Sequence, residues 1–180
     1  VPGPCADRGH VVSAGAEYRC WRAQLETWRP GTLAGPSLRS AWSVRRSLPV
    51  RIAGVDVVRI ASRTWGEALP VLRERAVPCG PGLLTVPRAC VELAVFLGTA
   101  APWPALAATR CVSGAVVRCP APGIHARDGL HVDGRTWLYP PMPHDPQVPD
   151  VTDGHALADA VRTALSRADA SPHGREGLRL

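Results

Sequence analysis

The chain reads as an α+β domain, with a mixed or antiparallel central sheet flanked by helices and a C-terminal amphipathic helix. Three observations predict this. Short β-branched runs are punctuated by Pro and Gly, helical periodicity surfaces in only a few windows, and the two kinds of segment interleave without a regular βαβ array.

Residues 1–16 are Pro/Gly-rich and irregular, 17–170 are expected to form the single domain, and 171–180 read as a disordered tail. Within the domain, Trp21, Leu25 and Trp28 share one face of a short helix over 17–28, which Pro30 and Gly31 end, and a loop follows over 32–40. The run Val55, Val57, Val58 and Ile60 predicts a central strand within 50–60. Thr64 then reads as the cap of a helix over 65–75, with Glu67 as its capping-box partner, Leu69 and Leu72 inward, and Pro70 against it.

Pro78, Gly80, Pro81 and Gly82 mark a turn before a short strand at 83–86, and 90–97 is ambiguous between helix and strand. A short helix is expected over 102–109, then strands at 114–119 and 136–139 with a polar loop, 123–134, between them. In the last helix Leu157, Val161, Leu165 and Ala168 form one stripe, and Thr152 or Asp153 caps it.

Apolar residues are 46% of the 180 residues and charged residues 20%, enough for a core that needs neither disulfide nor metal. Lysine is absent, so every basic residue is arginine, which points to coding bias before guanidinium chemistry. The net charge of +6 permits DNA or RNA as a partner without requiring it. The six cysteines include no C-x-x-C pair, and no charged, apolar leader opens the chain, so reduced thiols and a cytoplasmic location are expected. No apolar run reaches membrane-spanning length, so no membrane partner is expected.

Several chemistries lack their residues. Without lysine there is no Walker-type phosphate loop, and no G-x-S-x-G elbow is present. No cofactor is expected. Cys5, His10 and Cys20 are too few and too scattered for a structural zinc site. The segment 125–155 is dense in His and Asp, and His125, Asp128, His131 and Asp133 are its candidate metal ligands for a hydrolase or nuclease. Against that stands the ordinary use of His, Asp and Gly in exposed turns. For nucleic acid, the candidate contacts are Trp42, Arg45, Arg46 and Arg63, with guanidiniums for phosphates and an indole for a base. A solvated edge strand with a core Trp is the plainer alternative.

Two stretches together resemble the N-terminal domain of bifunctional DNA primase-polymerases, of the archaeo-eukaryotic primase superfamily. The first is Leu48-Pro49-Val50-Arg51-Ile52-Ala53-Gly54-Val55-Asp56-Val57-Val58-Arg59-Ile60-Ala61, followed by a helix near Trp65-Gly66-Glu67. The second is Gly114-Ala115-Val116-Val117-Arg118-Cys119-Pro120-Ala121-Pro122, a loop, then Gly134-Arg135-Thr136-Trp137-Leu138-Tyr139-Pro140-Pro141. The resemblance spans Trp42 to Pro141 and implies a primase-polymerase-like fold. It also places the family's D-x-D acids on Arg59 and Ala61, and its nucleotide-binding histidine on Leu93. Two divalent metals need carboxylates there, and Asp56 is a lone acid. The resemblance therefore implies a catalytically inactive relative, a nucleic-acid-binding or replication accessory module. A metal-dependent enzyme using 125–155 and a protein-interaction domain remain as alternatives.

Overall fold

A seven-residue strand, Val55–Ala61, lies inside the main sheet and alternates its side chains between two buried layers. The computed structural model describes residues 45–51, 54–121, 123–140 and 151–170. The expectations for 1–16, 17–28, 32–40 and 171–180, and for Cys5, His10, Cys20, Trp42, His144, Asp145 and Asp150, lie outside those residues. In chain order the elements are β1 (Leu48–Arg51), β2 (Val55–Ala61), α1 (Ser62–Glu74), β3 (Gly82–Thr85), β4 (Cys90–Phe96), β5 (Thr109–Ser113), β6 (Val116–Cys119), β7 (Arg135–Tyr139) and α2 (Gly154–Ala170). Single 3-10 turns occupy Val86–Arg88 and Ala126–Asp128.

Five strands form an antiparallel sheet in the order β5-β2-β4-β3-β7, and β1 pairs with β6 in a separate two-stranded ribbon. This is an α+β fold, with the antiparallel form of the expected sheet. β2 and β3 are both antiparallel to β4 between them, so β2-α1-β3 is a split βαβ unit. Val58 and Ile60 of β2, with Val91, Leu93 and Val95 of β4, face α1 and α2. Trp65, Ala68, Val71 and Leu72 of α1 and Leu157, Ala160, Val161 and Ala164 of α2 complete that core. On the opposite face Val57, Leu83, Ala94 and Trp137 pack against Ala115, Val117 and Cys119, next to or within the ribbon. Alternation on the central strands thus supplies two cores from one sheet.

The α1 terminus differs from expectation. The helix leaves β2 without a loop, Ala61 precedes it, and no side chain caps it. Ser62 N instead donates to Ala89 O at 2.8 Å, while Thr64 is buried inside the first turn and Glu67 pairs with Arg63. A neighbouring carbonyl therefore supplies part of what a capping side chain would supply. Asp153 does cap α2, its Oδ1 accepting from Ala156 N at 2.8 Å. Thr152 is used elsewhere: its Oγ1 accepts from Gly80 N at 3.0 Å. That approach explains Gly80, because a Cβ there would lie 2.6 Å from the Val151 backbone.

The ambiguous segment is strand β4. The helix expected over 102–109 is absent, and β5 begins where it was to end. β4 and β5 both run antiparallel to β2, so residues 97–108 must travel the length of β2 to reach the sheet edge. The connection is instead built from turns at 97–102 and 107–108 around an irregular stretch, 103–106, and tucks Trp103 and Leu106 against the helix-side core. No helix among the described residues is long and apolar enough to cross a membrane.

Candidate anion-binding cleft

Arg59 and Glu92 are directly opposite in the β2–β4 ladder, on the face that looks toward the ribbon. A charge inside a central apolar strand needs a partner. Arg59 Nε donates to Glu92 Oε1 at 2.8 Å, and Thr85 Oγ1 donates to Glu92 Oε2 at 3.0 Å. Arg59 also reaches Val116 O at 3.2 Å, tying the sheet to the ribbon. The Glu92 side chain is only 3% exposed and that of Arg59 is 26% exposed, so the arginine carries the pair out to solvent.

Above this pair, sheet and ribbon diverge around a half-open cleft of about 370 Å³. Its floor is Arg59, Glu92 and Val112, its roof Pro49, Val116 and Arg118, and the Gly114-Ala115 turn also lines it. Arg88, from the 3-10 turn, and Arg135, at the start of β7, complete the wall. Four guanidiniums against one carboxylate leave a formal surplus of three positive charges around the cleft. Arg110 faces the same side next to Arg59 in the β2–β5 ladder.

The rim is tied by one clasp. Ser47 donates from both its N and its Oγ to Asp133 Oδ2, at 2.9 and 2.7 Å. These bonds hold the Asp133 carboxyl below the ordinary carboxylate range, with Arg135 and Arg118 adding to the effect. The clasp therefore keeps its charged form at neutral pH and loses it as acid protonates Asp133. Arg135 donates to Asp133 O at 2.6 Å, and Arg118 makes a long 3.5 Å contact with Ser47 O.

Of the expected nucleic-acid contacts, Arg45 and Arg46 are exposed and directly precede Ser47, so the chain brings them to the cleft rim. Arg63 is not part of the cleft. It sits in the first turn of α1, 88% exposed, 3.5 Å from Glu67. The proposed metal ligands do not assemble: among the described residues no three His, Cys, Asp or Glu side chains share a site. Asp133 serves the Ser47 clasp, Asp128 lies 3.7 Å from Arg127, and His131 Nδ1 lies 3.2 Å from Gly129 O. His125 precedes the second 3-10 turn and bridges to Trp137. Turn chemistry accounts for these residues.

Leu93 is fully buried on the helix side, and it is Glu92 that faces the cleft. Reading the sequence missed Glu92, Arg88, Arg118 and Arg135 as site residues. The available signal was Arg59 inside the apolar run of β2 and Glu92 inside that of β4.

Cys79, Cys90 and Cys111 are free thiols, and Cys119 is buried. Burial pushes Cys79 up to about 11 and Cys111 up to about 12, the nearby Asp56 adding to the second, and Cys119 goes higher still. In the folded state Cys79 should therefore react with iodoacetamide at neutral pH roughly a hundredfold more slowly than in denaturant. The sign for stability follows. An unfolded thiol loses its proton near 9.0 while these folded thiols keep theirs, so stability is full below that pH. It falls as pH rises through 11 to 12. Mass-spectrometric alkylation rates and denaturation midpoints against pH check both; modification of folded Cys79 at the denatured rate contradicts its burial.

Comparison with protein-family models, with curated proteins and with solved structures gives no match for this chain.

Proposed function

We propose that the chain is a nucleic-acid-binding module, a catalytically silent relative of the primase-polymerase domain that grips phosphates in the arginine cleft. One observation carries the reading: Arg59, Arg88, Arg118 and Arg135, distant in sequence, converge on one half-open cleft with a surplus of positive charge. Guanidiniums bind phosphate in a planar, two-pronged geometry and are weakly hydrated, which suits a partly enclosed site. Arg45 and Arg46 at the rim extend the positive surface in the direction a strand would leave. Arg59 stands where the resemblance puts the first metal-binding acid, and its charge favours phosphate over a divalent cation there.

Fluorescence anisotropy with labelled single-stranded DNA and RNA at a series of salt concentrations tests the proposal. Binding should weaken steeply with salt, with a log–log slope near −3 if all four cleft arginines meet phosphates. No binding at low salt, or a flat salt response, refutes it. Primer extension with Mg²⁺ or Mn²⁺ checks the silent part of the reading, which metal-dependent nucleotide incorporation would overturn.

A further inference from the structure

The cleft is half enclosed. The ribbon lies over it, with Pro49 and Val116 in the roof and the Gly114-Ala115 turn also lining it. Its volume of about 370 Å³ matches a small-ligand pocket, at the low end of a range of about 300–1,000 Å³. Arg59 is the guanidinium fixed most firmly, by Glu92 on one edge and Val116 O on another, and Thr85 in turn fixes Glu92. Arg88 and Arg118 stand at the exposed mouth.

Building on the phosphate-binding reading above, we infer that this cleft takes a phosphate monoester in preference to an internal diester. A diester inside a strand carries a single negative charge and must continue in both directions. A monoester ends the chain and carries about −1.5 to −2 charges at neutral pH. A surplus of three positive charges in a partly desolvated cleft favours the second, because each added charge interacts more strongly away from bulk water. Glu92 acts here as a positioning residue that orients the Arg59 fork.

The full chain is titrated with a 3′-labelled single-stranded oligonucleotide carrying either a 5′-phosphate or a 5′-hydroxyl. The phosphorylated strand should bind at least about tenfold more tightly near pH 7.5, and the advantage should shrink below about pH 6 as the monoester gains a proton. Competition with a free nucleoside 5′-monophosphate separates the two sources of this chemistry. Displacement at comparable concentrations identifies a nucleotide as ligand, and displacement only at far higher ones identifies a strand end. Arg88→Ala should reduce the preference for phosphate without changing the denaturation midpoint. Equal affinity for the two strands, with salt-dependent binding intact, overturns the monoester preference and leaves the binding function standing. Failure of both strands to bind overturns both.

Discussion

Replacing Arg59 with alanine should lower the free energy of unfolding by about 3–5 kcal/mol, the cost of leaving a buried carboxylate without its countercharge. Glu92 is 5% exposed, and without Arg59 it retains only the Thr85 hydroxyl among the contacts described above. The substitution also cuts the Arg59–Val116 bond that ties the ribbon to the sheet. Such a loss is a large share of the roughly 5–15 kcal/mol that holds a domain together. Exchanging both partners for apolar residues of similar size, as in Arg59→Met with Glu92→Leu, should recover most of it, because a buried pair contributes little beyond its own desolvation. Urea denaturation of the single and double variants measures both values. A single variant within about 0.5 kcal/mol of the parent, the range of ordinary surface changes, would mean that the pair is not buried as described.

Reversing two charges at the cleft mouth should have the larger effect on binding. Arg88→Glu together with Arg118→Glu turns a surplus of three positive charges into a deficit of one. Both side chains are exposed, so the fold should lose less than about 1 kcal/mol in total. Affinity for a single strand should fall by about a hundredfold or more, and the salt slope should flatten toward zero. Arg162→Ala, on the outer side of α2 beside Asp159, is the control for general loss of positive charge and should leave binding unchanged. Equal losses in both variants would assign binding to overall charge and remove the cleft from the account.

Parts of this fold are plain in the sequence for definite physical reasons. β2 announces itself through Val55, Val57, Val58 and Ile60, whose branched side chains suit a pleated surface buried on both faces. α2 is legible because Leu157, Val161 and Leu165 return to one stripe against the core, although Ala168, expected on the same stripe, is exposed. β4 is ambiguous because both of its faces are buried, which removes the alternation that distinguishes a strand from a helix. β5 is hidden for the opposite reason: an edge strand reading Thr-Arg-Cys-Val-Ser has little to bury.

The cleft is hardest to anticipate. Its four arginines come from two strands of the sheet, a 3-10 turn and the ribbon, and they meet only once β2 pairs with β4, β4 with β3, β3 with β7 and β6 with β1. In a chain without lysine the arginine content carries little weight, so position had to carry the signal. Arg59 in one apolar run and Glu92 in another were that signal, since each is costly to bury alone. The acid-rich segment was the more conspicuous feature, but its described residues serve turns, a cap and a clasp.

Asp56 has a consequence of a different kind. It is completely buried in β2, on the helix side; its Oδ2 accepts from Ala100 N at 2.7 Å, and its Oδ1 has no partner. A hydrophobic residue would suit that spot better on energy alone. The carboxylate instead latches the long overpass between β4 and β5 at one chosen amide. An edge strand as polar as β5 has little grip of its own and slides easily to a neighbouring alignment. Asp56 thus works as a molecular bookmark, giving up some robustness so that one threading of the chain outcompetes its near-duplicates.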